Sequence, residues 1–167
     1  LDEANAEALR KDLAADAIAL FRDDMTALAV VPPTHYLGVV ESMDTITAAV
    51  QALLGRGVTY TVTDERGGPD VYLDLSQVDA VPGRLGRLSR DQMFAMSRER
   101  GGDPDRPGKR NPLDPMLWLA ARDGEPSWDG GDGLGAGRPG WHIECTALAL
   151  DLIGVPFDVQ IGGHDLV

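Results

Sequence analysis

Apolar residues recur every three or four positions between residues 2 and 28, at Leu9, Leu13, Ala17, Leu20 and Phe21, and that period predicts a first helix. Val30-Val31-Pro32-Pro33 ends it, because a proline pair cannot continue a helix. Ser42 is the predicted N-cap of a second helix through Leu54, whose apolar face is Ile46, Val50, Leu53 and Leu54. Gly55 and Gly57 close that helix. Residues 58–63 and 71–75 then alternate with period two and are rich in β-branched side chains. With the turn residues 64–70 between them they predict a β-hairpin.

From residue 76 to residue 139 regular signals are sparse: residues 90–98 predict a short helix and 116–120 a strand. A loop-rich tract of that length is functional, disordered or built around a ligand. Pro139-Gly140 then leads into a helix over residues 141–153 closed by Gly154, and residues 157–161 predict a strand. On the last helix Trp141, Cys145, Leu148 and Leu152 share one face. A thiol on such a face is either a small buried hydrophobe or a presented ligand. The chain has no internal repeats.

Composition bounds the function. The 167 residues suit one ordinary domain, and 43% hydrophobic content is that of a globular protein. No apolar run approaches the roughly 20 residues needed to cross a bilayer, so no membrane partner is expected. The acidic opening, Leu1-Asp2-Glu3, is unlike a signal peptide, and a single cysteine excludes an internal disulfide. The cytoplasm is the expected compartment. A net charge of −12 argues against broad nucleic-acid binding by these residues.

The candidate chemistry lies in the segments Gly137-Arg138-Pro139-Gly140-Trp141-His142-Ile143-Glu144-Cys145 and Phe157-Asp158-Val159-Gln160-Ile161-Gly162-Gly163-His164-Asp165-Leu166. Upstream stand Lys109-Arg110-Asn111-Pro112-Leu113-Asp114, Leu117-Trp118 and Gly124-Glu125-Pro126-Ser127-Trp128. In this order they resemble the zinc-containing catalytic domain of the cysteine-activating class I aminoacyl-tRNA synthetases, a group that includes the cysteine ligases of mycothiol biosynthesis. Glu99-Arg100-Gly101-Gly102-Asp103-Pro104, continued by Asp105-Arg106-Pro107-Gly108-Lys109-Arg110, resembles the ligase branch, as does Pro115. From composition alone the same tract reads as a solvated loop, and it is expected to be mobile.

The resemblance implies part of a class I aminoacyl-tRNA synthetase Rossmann-like catalytic domain, an α/β fold with a connective insertion carrying the β-hairpin. Residues 1–137 would hold the end of the first Rossmann half and the insertion, and 138–167 the start of the second half. The implied reaction is ATP-dependent ligation of cysteine to the amine of glucosaminyl-inositol through a cysteinyl-adenylate. The alternatives are a piece of a cysteinyl-tRNA synthetase, with tRNA as partner, and a non-catalytic truncated homologue. By resemblance Cys145 is one zinc ligand, and Trp141, Gly163, His164 and Asp165 converge on the cysteinyl-adenylate. His142, a conceivable further ligand, reads better as a satisfied helix histidine. The two expected glycines Gly162-Gly163 follow Ile161 where synthetases usually show three glycines in a row. The family's phosphate-handling and lysine-loop motifs are absent from these residues, so they are not expected to catalyse ligation by themselves.

Overall fold

The computed structural model describes residues 3–65, 67–84 and 86–161. The chain divides into two compact units, Leu1–Leu37 and Gly38–Val167. The first holds helix α1, Glu3–Ala27, which ends before the proline pair as its sequence predicts. Its predicted stripe, Leu9, Leu13, Leu20 and Phe21, is exposed. Within this unit Arg22 lies over the Tyr36 ring, 4.7 Å from its centroid.

The second unit opens on a short 3-10 turn, Val40–Ser42, that runs into α2, Met43–Gly55. Ser42 occupies the predicted N-cap position but does not cap: its hydroxyl donates back to the Gly38 carbonyl at 2.9 Å. Ile46 and Val50 are the fully buried side chains of the helix.

Strands β1, Thr59–Asp64, and β2, Gly67–Leu73, form the predicted hairpin. Tyr60 faces Tyr72 and Val62 faces Asp70 across the ladder. β2 begins four residues earlier than the alternation suggests, because residues 67–70, read as turn, pair with β1. Beyond β2, Asp74 accepts the Ser76 amide at 3.0 Å and caps a 3-10 turn, Leu75–Gln77, where the pattern predicted more strand. Helix α3, Arg90–Glu99, starts with a reciprocal capping box between Ser89 and Gln92, which explains a helix in a polar stretch.

Strand β3, Met116–Ala120, pairs with β2, and two further strands, β4, Trp128–Asp129, and β5, Ala136–Pro139, complete a sheet of order β1-β2-β3-β5-β4. Every pairing among the described residues is antiparallel. The architecture is therefore mixed α/β, with the β1–β2 hairpin at one edge of the sheet. β5 was not predicted, since Gly and Pro are poor strand formers. Here Gly137 is required by close approach: a Cβ would collide with the Leu119 carbonyl oxygen and the Trp118 indole nitrogen.

Helix α4, Trp141–Leu152, follows β5 directly and packs Ile143 and Ala147 against Ile46, Val50, Val71, Leu117 and Trp118. Residues 157–161 do not form the predicted strand. Their alternation is real, but no strand among the described residues pairs with them, and Val159 and Ile161 are exposed. No helix among the described residues is long and apolar enough to cross a membrane.

Candidate active-site cleft

The hairpin has one apolar and one polar face. On the polar face Asp70, with no exposed surface, accepts the Ala120 amide at 2.9 Å and is paired by two arginines. Arg106 reaches it at 2.6 Å and Arg122 at 2.8 Å. Arg106, 2% exposed, also donates to the Tyr72 hydroxyl at 2.8 Å, and that hydroxyl donates to Asp103 at 2.8 Å. Lys109 donates to the other Asp103 oxygen at 3.2 Å and to the Pro112 carbonyl at 2.8 Å.

A parallel arrangement surrounds Tyr60, which stacks on Tyr72 with ring centroids 5.8 Å apart. The Tyr60 hydroxyl donates to the buried Asp114 carboxylate at 2.7 Å and accepts the Arg110 amide at 3.0 Å. Asp114 also accepts the amides of Leu75 at 3.0 Å and Asn111 at 2.9 Å. Arg110 lies over the Tyr60 ring, 4.5 Å from its centroid, and pairs with Asp74 at 2.6 Å.

These bonds set the protonation states. Burial, and then the bonds to Asp103 and Asp114, push the Tyr72 and Tyr60 phenols well above their ordinary range, so both stay neutral donors. Burial lowers Lys109, opposed by the Asp103 charge. For Arg106 burial favours loss of the proton, and the bonds to Asp70 and Tyr72 outweigh it.

The segment from residue 99 to 110, expected to be mobile, is thus joined to the hairpin through Asp103, Arg106 and Arg110. The reason is that its charged residues find buried partners contributed by β1 and β2. Composition shows only a solvated loop, because those partners lie 31 to 50 residues away in sequence.

The clamped segment forms one wall of a cleft of about 370 Å³. Arg100, Gly101, Gly102, Asp103 and Lys109 line that wall, and Arg138, Pro139, Gly140, Trp141 and His142 line the other. Of the remaining motif residues, Glu99 ends α3 and is exposed, and Pro104 is buried behind the wall. Gly140 must be glycine, since a Cβ would collide with the Met116 carbonyl oxygen. It brings the start of α4 onto the sheet, and Trp141 stands 71% exposed beside the cleft.

Cys145 sits one turn further along α4, exposed and outside the cleft lining. Trp141 and Cys145 are thus both exposed in this chain, where the buried-hydrophobe reading expects a covered thiol. Leu148 and Leu152 are half-buried. His142 is exposed and lines the cleft. Among the described residues no group of three or more His, Cys, Asp or Glu side chains is arranged to hold a metal ion. Gly163, His164 and Asp165 lie outside the described residues.

On the other side of Arg138 a second cavity, of about 330 Å³, is lined by Glu125, Pro126, Trp128 and Glu144. Arg138 pairs with Glu125 at 3.2 Å, which joins the 124–128 motif to the 137–145 motif. Burial raises the Glu144 pKa, and Arg138 opposes the rise.

Residues 2–167 match the family described as tRNA synthetases class I (C) catalytic domain. The chain belongs to that family. Within it, the chain is 57% identical over 159 residues to an L-cysteine:1D-myo-inositol 2-amino-2-deoxy-alpha-D-glucopyranoside ligase of Kineococcus radiotolerans, covering 94% of this chain and 38% of the relative. A ligase of the same description from Cellulomonas flavigena is 58% identical over 156 residues, covering 93% of this chain and 37% of that protein. A third, from Streptomyces scabiei, is 56% identical over 154 residues, covering 92% and 36%. The chain thus spans a little over a third of the length of these curated relatives. Two of the resemblance-bearing segments, at Arg100–Lys109 and at Arg138–His142, line one cleft.

The polar clamp itself was missed by sequence reasoning. No local pattern marks Asp70, which falls among residues 64–70 that read as turn; only its pairing opposite Val62 in the structure puts it inside the ladder. Charges seldom enter a ladder interior without a buried partner.

Proposed function

We propose that the protein carrying this chain joins cysteine to the amine of glucosaminyl-inositol, as a cytoplasmic step of mycothiol biosynthesis. The observation that supports this reading is the single cleft shared by the ligase-type segment 99–110 and the start of α4. The cysteine carboxylate attacks the α-phosphorus of ATP, pyrophosphate leaves, and cysteinyl-adenylate forms. The amine then attacks the acyl carbon: a C–N bond forms, the acyl C–O bond breaks, AMP leaves, and the amine proton passes to solvent. Such catalysis is mainly positioning and charge stabilisation.

In this reading Trp141 walls the cysteine end of the cleft, and Gly163, His164 and Asp165 complete the adenylate pocket. Residues 1–137 supply the end of the first Rossmann half and the connective insertion, and 138–167 begin the second half. Cys145 fits one ligand of a zinc site, being an exposed thiol on the same helix face as Trp141. About four protein ligands, or three with an open position, are needed, so Cys145 would share the ion with residues beyond those described. Zinc bound there would take the substrate sulfur as thiolate and so reject serine, whose hydroxyl is harder and less acidic.

The test is the full-length protein with cysteine, ATP and glucosaminyl-inositol, scored for the amide product, AMP and pyrophosphate. Ligation of the aminosugar supports the reading, and transfer of cysteine to tRNA instead overturns it. Cys145→Ala should lower both zinc content and cysteine-dependent ATP–pyrophosphate exchange. The expected loss is at least the roughly 10–100-fold seen when an outer-shell partner is removed. Full zinc occupancy in this variant would dismiss Cys145 as a ligand.

A further inference from the structure

We infer that the wall formed by Arg100, Asp103 and Lys109 is the acceptor subsite, which holds the hydroxyl-rich aminosugar while Trp141 faces it from the cysteine side. The inference rests on the ligase reading and adds where, and by which groups, the acceptor is recognised.

Three observations carry it. The first is placement. An amine that attacks the acyl carbon must come within about 3–3.5 Å of it, so acceptor and cysteine share one cavity. The cleft that Trp141 lines is also lined by Arg100, Asp103 and Lys109. Its volume of about 370 Å³ lies in the range of roughly 300–1,000 Å³ usual for small-molecule sites.

The second is chemistry. A sugar linked to a cyclitol offers hydroxyls that both donate and accept, together with one amine. Lys109 has three N–H donors; Asp103 and Pro112 take two and the ammonium also lies 5.0 Å from the Tyr72 ring centroid, so a ligand hydroxyl would be met by a donor shared with these partners. The Asp103 carboxylate is 29% exposed, within reach of a donating hydroxyl or amine. Arg100 adds a second cation, and the exposed Trp141 indole offers a flat apolar surface for a sugar ring.

The third is rigidity. The Lys109 side chain is only 5% exposed, and Asp103 is held from behind by the Tyr72 hydroxyl. Tyr72 in turn is fixed by Arg106 on the buried Asp70. A solvated loop has no need of such a foundation. A binding wall gains from one, because groups held in place beforehand lose little freedom when the ligand arrives.

The experiment separates the two half-reactions in the full-length protein. Cysteine-dependent ATP–pyrophosphate exchange reads adenylation, and the KM for glucosaminyl-inositol reads the acceptor. Lys109→Gln should raise the acceptor KM about tenfold to a hundredfold, the range for losing a hydrogen bond to a charged donor. The loss in ligation should exceed the loss in exchange by at least about tenfold. Arg100→Gln, at an exposed position, should raise the same KM about threefold to tenfold, and it alone decides if Lys109→Gln does not fold. An acceptor KM within twofold of wild type in the folded variants overturns the inference, as does exchange that falls in step with ligation. Wild-type protein that performs exchange but never ligates the aminosugar overturns the ligase reading itself, a result distinct from either.

Discussion

The two faces of the β1–β2 hairpin are built from opposite physics. On one, Val71 joins Ile46, Val50 and Trp118, with Leu73 packed alongside, in a contact surface without charge. On the other, Tyr60, Asp70 and Tyr72 receive Arg106, Arg110 and Arg122 through hydrogen bonds and ion pairs, and Lys109 lies over the Tyr72 ring. Dispersion and burial on the apolar face add up in small increments, and a lost methylene is partly absorbed by relaxation. The polar face is closer to all-or-none: each buried charge is tolerable only while its partner is present. The contrast teaches that the apolar face holds the fold and the polar face holds the cleft wall.

Asp70→Ala should break this contrast most sharply. It strips Arg106 and Arg122 of their shared carboxylate, and an abandoned buried charge costs about 3–5 kcal/mol. Urea denaturation of variant and wild type measures it, and a loss under about 1 kcal/mol would mean that water already compensates the arginines. Ile46→Val should sharpen the other side, with a loss of about 0.5–1.5 kcal/mol by the same measurement and no change in the acceptor KM. A large KM change there would show that the two faces are not separable.

The smallest effect is expected from Asp74. Bonds from the Ser76 hydroxyl and then from Arg110 hold its carboxyl below the usual range. A folded pKa below the unfolded value of about 3.9 means that this stabilisation is present above about pH 4. It is lost as pH falls through the lower folded value. Asp74→Asn should therefore flatten the fall in melting midpoint between about pH 5 and pH 3. An unchanged acid limb in that variant would leave the Arg110 bridge without a role in stability.

The apolar face was legible in the sequence because period encodes it. The spacing of Ile46 and Val50 located α2, the alternation around Val71 located the hairpin, and residues 90–98 and 116–120 were read as α3 and β3, as found. Period is silent on pairing. β4 has only two residues and β5 contains Gly and Pro, and both become strands through neighbours rather than propensity. Residues 157–161 have the propensity without the neighbours. The site divides in the same way: motif order pointed to Trp141, Cys145 and the 99–110 segment. That the segment is clamped rather than mobile depends on Asp70, Tyr72 and Asp103 meeting across long stretches of chain. Local patterns carry no record of such a meeting.

The clamp also has a history in each molecule's synthesis. Asp70 and Arg122 are separated by 52 residues, Tyr60 and Asp114 by 54, and the Gln51–Gly130 bond spans 79. At about 5–20 residues per second, the ribosome releases Arg122 roughly 3 to 10 s after Asp70. Throughout that interval the nascent hairpin shows water a face of carboxylate and phenol, while Val71 and Leu73 await β3 and α4 in addition to the α2 already made. A hairpin with two greasy faces would spend those seconds seeking strangers. This one can wait for its own late-arriving arginines.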